Sequence, residues 1–299
     1  MGNFYSVTLC FLGSKKWGFL FAAVFSGGLL LAQKLPEKTM PLGKLALKTV
    51  KPVRFPKVDN QKLLAEELEK RKKGLNPSFA ITRNTSLKPS THGEWTTSKD
   101  GLNEIWRLRI QSAGALSLNL GISDFYLPPN ARLWIYNLSM DQVEGPFTYS
   151  DNELHGQMWT PAMLGDELVL EVSLPSIEKK WLKMTVEKVN HDFQGIFSML
   201  SGSCHLDVAC GSREGWKLVD NYREVMRSVG MYTINGRNFC SGALINNGRN
   251  DCKPYFLSAF HCDVTSSNAP SVVVYWNYQH SVCRPMLSQA NGATGDGSK

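Results

Sequence analysis

From Trp106 onward apolar residues fall at every second position: Trp106, Leu108 and Ile110 alternate with Arg107, Arg109 and Gln111, and Leu116, Leu118, Leu120 and Ile122 repeat the pattern. A period of two puts the apolar set on one face of a pleated strand and cannot form the stripe of a helix. Further segments of this kind lie at 132–136, 167–174 and 181–188, separated by Gly, Pro, Asn and Asp. Short half-buried strands with this punctuation predict an antiparallel β-sandwich over residues 77–195. Trp95, Trp106, Trp134, Trp159 and Trp181 are read as core residues of that sandwich, with sugar stacking as the alternative use of an exposed ring.

The first 32 residues follow another rule. Lys15 and Lys16 precede an apolar run from Trp17 to Ala32, the layout of a secretory signal peptide. As a helix this run covers about 24 Å, short of the roughly 30 Å hydrocarbon core, so cleavage after Ala32 is expected, with an uncleaved membrane anchor as the other reading. Residues 33–76 read as a basic, proline-containing linker with a short helix. Seven Lys or Arg against Glu37 alone lie between Lys34 and Lys57, which accounts for most of the net charge of +7 and removes the argument for nucleic-acid binding. The helix runs from an Asp59 N-cap to Lys73, with Leu63, Leu64 and Leu68 apolar, Gly74 as the stop and the charged stretch 66–73 as a solvated face.

Apart from Cys10, the cysteines are confined to the last part of the chain: Cys204, Cys210, Cys240, Cys252, Cys262 and Cys283. In an exported chain such clustering argues for disulfides within one domain. Zinc is the weaker reading, because no Cys-x-x-Cys pair is present and adjacent His261 and Cys262 diverge if they lie on a strand. Strands are expected at 225–234, 239–246, 255–261 and 272–278, with turns at Asn235-Gly236 and Asn247-Gly248. This run fits half of a two-barrel fold. The apolar segment from Pro254 ends on His261 and Cys262, the way a chymotrypsin-like protease presents its general base.

Four segments carry a more specific likeness: Gly202-Ser-Cys-His-Leu-Asp-Val-Ala-Cys210, Cys240-Ser-Gly-Ala-Leu-Ile-Asn-Asn247, Tyr255-Phe-Leu-Ser-Ala-Phe-His-Cys262 and Val273-Val-Tyr-Trp-Asn-Tyr-Gln279. Together they resemble the lysyl endopeptidase group of bacterial trypsin-like serine proteases. Gly145-Pro-Phe-Thr148, Trp159-Thr-Pro161 with Gly165-Asp166, and Val189-Asn-His-Asp192 resemble the propeptides of the same precursors.

The resemblance implies an all-β chain: a signal helix (1–32), the linker (33–76), an antiparallel β-sandwich propeptide (77–195) and the first half of a chymotrypsin-like double β-barrel (196–299). It implies that His261 is the general base and later acid of a Ser-His-Asp mechanism. It pairs Cys240 with Cys262 and Cys210 with Cys283, gives Cys204 a partner in a second barrel, and leaves Cys252 outside the family set, to pair with Cys204 or with a cysteine outside this stretch. The aspartate and the Gly-x-Ser-Gly serine would lie beyond Lys299. Asp263 and Asp296 are poor substitutes for that aspartate, and lysine preference comes with the group and not from these residues. His205 and His280 are read as surface or packing residues, and His191 has no assigned role.

Members that mature themselves need a cleavable bond before Gly202, and here the nearest upstream lysine is Lys188. The implied protein is a monomeric, secreted or periplasmic endopeptidase precursor acting on peptide substrates. It uses no cofactor or metal, binds no nucleic acid, and meets a membrane only through the signal segment. The competing reading is a non-catalytic exported β-sandwich adhesin or binding protein, or an inactive protease homologue.

Overall fold

The computed structural model describes residues 50–198, 206–249, 251–280 and 282–283. The signal segment, the linker up to residue 49, Cys204, His205 and Asp296 lie outside these residues. Three open sheets dominate the described chain. The first contains β1 (Val53–Phe55), β3 (Glu94–Thr97), β4 (Asn103–Ser112), β6 (Arg132–Asn137), β7 (Val143–Phe147) and β10 (Glu167–Pro175). The second contains β2 (Ala80–Leu87), β5 (Ser117–Tyr126), β8 (Met158–Trp159), β9 (Met163–Leu164) and β11 (Lys183–Asp192).

The period-two positions place the core. Trp106, Leu108 and Ile110 of β4, Leu118, Leu120 and Ile122 of β5, and Leu168, Leu170 and Val172 of β10 are all buried in one cluster shared by the two sheets. Each such side chain contributes about 1.5–3 kcal/mol by leaving water, which is what holds sheet on sheet.

The other face of β4 departs from the expected exposure. Arg107 lies directly opposite Glu171 of β10, and both are buried. Arg107 Nε donates to Glu171 Oε2 at 2.8 Å, and the Tyr136 hydroxyl donates to the same oxygen at 3.1 Å. Trp134, Tyr136 and Val169, with Met140 and Val143 against them, form a second apolar layer over this face. A charge can be buried there only because each member of the group is hydrogen-bonded. The tryptophans divide accordingly: Trp106 and Trp134 are buried, Trp95 and Trp159 are partly covered, and Trp181 is exposed, against expectation.

The residues before position 77 hold more structure than a linker. β1 pairs in parallel with β4, an exception to the antiparallel pattern, and α1 (Asn60–Lys72) follows it. The Asp59 side chain accepts from the Lys62 N–H at 3.1 Å, satisfying one of the free donors of the first turn. Within the charged stretch, Glu67 is buried and not solvated. Its carboxylate accepts from the Ser78 N–H at 2.8 Å, the Ser78 hydroxyl at 2.6 Å and Arg71 Nε at 3.1 Å. Leu68, read as an apolar contact, is exposed.

The third sheet has the order β14 (Tyr255–Ser258), β13 (Asn238–Ile245), β12 (Val229–Ile234), β15 (Val273–Trp276), all antiparallel. It is open, not closed into a barrel. The strand expected from Val225 begins only at Val229, because Lys217–Asp220 (α2) and Arg223–Met226 (α3) are short helical turns. They are held by Asp220, which accepts from the Ser212 N–H at 3.0 Å and from Arg223 Nη2 at 2.8 Å. The Ser212 hydroxyl and Arg223 hold the Asp220 carboxyl at about 2, below the usual carboxylate range.

Phe79, Ala80 and Ala162 of the first part and Ile196, Met231 and Tyr275 of the second form a common buried cluster. The Phe79 N–H donates to the Arg237 carbonyl at 2.9 Å.

Candidate active site

β13 and β14 pair from Gly242↔Ser258 to Ile245↔Tyr255, and the chain then leaves the sheet. Phe260, His261 and Cys262 form a 3-10 turn, so His261 does not lie at a strand end. Asp263 closes the turn in the left-handed conformation, with φ 57°. Cys262 is buried and bonded to Cys240 of β13 with Cα atoms 6.1 Å apart, which fixes the turn to the middle strands of the sheet. Cys210 and Cys283 are bonded with Cα atoms 4.6 Å apart, and Cys252 also takes part in a disulfide.

This turn explains why His261 and Cys262 do not diverge. The donor atoms of Cys240, His261 and Cys262 all lie within 4.8 Å of one another. Both sulfurs are tied to each other, so neither offers the thiolate a metal requires. The disulfide instead backs an exposed imidazole.

Beneath the turn, Ser258 collects three contacts: the Tyr232 hydroxyl at 2.6 Å, the Ser241 carbonyl at 2.9 Å and Cys262 Sγ at 3.5 Å. Sequence reasoning passed over Ser258 and Tyr232. The signal for Ser258 is a polar residue within an otherwise apolar segment, four positions before a bonded cysteine. Tyr232, Phe256, Phe260 and Val272 line a shallow cleft of about 340 Å³ beside the turn. Phe260 is fully exposed on its rim.

Asp263 is engaged by other residues: its carboxylate accepts from Asn76 Nδ2 at 2.9 Å, and its carbonyl accepts from Asn268 Nδ2 at 2.8 Å. Among the described residues no hydrogen bond or ion pair engages the His261 ring. His280 is buried, 3.9 Å from Asp207. His191 is buried in β11, with Nδ1 2.8 Å from the Ser112 hydroxyl and Nε2 3.0 Å from Asn60 Oδ1. Burial, with a smaller contribution from Arg83, lowers its pKa to about 4 and keeps it neutral.

Lys188 is paired within β11, between β2 and β5. A bond so placed reaches no protease without unfolding of the sheet.

The described chain is thus a mostly β protein in two parts, a pair of packed sheets joined to a smaller disulfide-bonded sheet that displays a histidine on an anchored turn. Residues 54–193 match the lysyl endopeptidase N-terminal domain and residues 199–298 match the lysyl endopeptidase C-terminal domain. The chain belongs to the lysyl endopeptidase family. It is 27% identical over 212 residues to a lysyl endopeptidase of Pseudomonas aeruginosa, covering 66% of this chain and 45% of that protein. The chain therefore spans less than half the length of this curated relative.

Proposed function

We propose that these residues are the precursor portion of an exported serine endopeptidase. In this reading residues 77–195 are a propeptide that assists folding, and 196–299 are the first part of the protease domain, carrying His261 as general base. An aspartate and a serine encoded after Lys299 complete the triad. The serine hydroxyl becomes nucleophilic as the imidazole takes its proton, and the imidazolium then protonates the leaving amine. Cleavage after lysine is the corresponding specificity, and the disulfides fit an oxidising compartment outside the cytoplasm.

The observation that carries this reading is the exposed His261 ring on a turn pinned by Cys240–Cys262. A base must reach substrate and yet hold its direction, and the covalent bond within 4.8 Å of the ring supplies that rigidity.

The test is covalent labelling with a fluorophosphonate, which reacts only with an activated serine. The product of a reading frame extended past Lys299 is expected to be labelled at a Gly-x-Ser-Gly serine. The same product with His261→Ala is expected to resist labelling, as are residues 1–299 alone. Equal labelling with and without His261 would overturn the assignment.

A further inference from the structure

Where the two parts of the chain meet, two buried amides hold a turn. Asn119 of β5 and Asn190 of β11 lie opposite each other in register and are 2% and 0% exposed. Asn190 Nδ2 donates to Asn119 Oδ1 at 2.8 Å, and Asn190 Oδ1 accepts from the Thr82 hydroxyl at 2.7 Å. Asn119 Nδ2 reaches out of the sheet and donates to the Gly236 carbonyl at 2.8 Å.

Gly236 fits this pair closely. A Cβ at position 236 would overlap both Asn119 Oδ1 and Asn190 Nδ2. Asn235 and Gly236 carry positive φ of 53° and 65°, the conformation of the tight turns that join antiparallel strands. On either side the contact continues through backbone: the Phe79 N–H donates to the Arg237 carbonyl, and Ser78 bridges to Asn238. The amides are hydrogen-bonded and buried, so they have no room to yield to a larger residue.

We infer that the Asn119/Asn190 pair is a receptor for a left-handed Asn-Gly turn, and that through it the first two sheets fix the β12–β13 hairpin. Its function follows from what the hairpin carries. β13 bears Cys240, and Cys240 holds the His261 turn. A hairpin of this kind is marginal by itself, and a buried donor aimed at its turn carbonyl selects one conformation. The Asn of the Val-Asn-His-Asp segment thus has a role at the junction. On the assignment of residues 77–195 as a folding-assisting propeptide, this pair is one place where that assistance acts.

The experiment is hydrogen–deuterium exchange, read by mass spectrometry on the whole 299-residue chain, so peptide hydrolysis does not enter. Two variants address the two sides of the contact: Asn119→Ala removes the donor, and Gly236→Asn keeps a residue that tolerates positive φ while filling the space. Each is expected to speed exchange over 229–245 by about tenfold or more, with 103–112 and 167–175 unchanged. Gly248→Ala, at a glycine with open space around it, serves as a control expected to leave exchange unchanged. Unchanged protection over 229–245 in both variants would overturn the inference. If Asn119→Ala also loosens 103–112, the Gly236→Asn result decides, because that substitution touches the first two sheets only at the receptor.

Discussion

Asn76 donates its side-chain amide to the Asp263 carboxylate at 2.9 Å, across 187 positions of sequence. A residue from the first part of the chain therefore engages the carboxylate nearest in sequence to His261. That engagement makes Asp263 an anchor of the turn, and on the proposed function the orienting acid is a different carboxylate. On the proposed function, in the full-length precursor before its propeptide is removed, Asp263→Asn is expected to change the rate of fluorophosphonate labelling by less than about tenfold. An orienting carboxylate lost in this way costs about 10⁴. A measured loss of that size would make Asp263 the triad acid.

Arg107, Glu171 and Tyr136 form the polar group buried beneath the second apolar layer of the first sheet. Glu171→Ala leaves the guanidinium buried and short of its carboxylate, and is expected to cost about 3–5 kcal/mol in urea unfolding. The double variant Arg107→Met with Glu171→Leu removes both charges and is expected to recover most of that loss. A double variant as unstable as Glu171→Ala would show that the group acts through shape and not through charge.

His191 gives a pH dependence whose sign can be worked out. Its pKa falls from 6.5 to about 4 on folding because the ring is buried. The unfolded chain therefore takes up a proton below 6.5 that the folded chain refuses until about 4. The stability that His191 contributes is fully present above 6.5, is lost as pH falls through that window, and reaches a loss of about 3 kcal/mol at its lower end. Asp192 beside it is raised by burial and changes stability in the opposite direction as pH falls. The quantity to measure is thus the difference between wild type and His191→Asn. Wild type is expected to lose more stability than the variant between pH 6.5 and 4, and parallel curves would contradict this.

The two described disulfides close segments of different length, 22 and 73 residues in separation. On chain entropy, replacing Cys240 and Cys262 by alanine costs roughly 3 kcal/mol, and replacing Cys210 and Cys283 roughly 4 kcal/mol. Urea midpoints of the two double variants check that order. On the proposed function the first pair is expected to have the larger effect on hydrolysis by the mature enzyme, because of the two bridges it is the one that holds the His261 turn.

Sequence periodicity located β4, β5, β6, β10 and β11, because a shared apolar core imposes its spacing on each strand that faces it. The Asp59 cap of α1 was legible for a local reason, since a cap needs only residues three positions apart. The buried Glu67 was not, because its partner Ser78 is separated from it by a loop that carries no spacing rule. Arg107 and Glu171 read as solvent-facing for the same reason: alternation says which residues share a face, and says nothing of what covers the second face. The segment ending at His261 reads as one strand, yet it breaks after Ser258, where the bond from Cys262 to Cys240 draws the chain into a 3-10 turn. The strand expected from Val225 fails similarly, as Asp220 and Arg223 hold the chain around Cys210 in helical turns.

On the proposed function, His261 is the proton acceptor of the nucleophile. The direct measurement is kcat/KM for a fluorogenic lysyl peptide with the matured full-length protein and its His261→Ala variant. Loss of activity by about 10⁴ or more in the variant is the expected result. Hydrolysis at the wild-type rate by the variant would contradict the account.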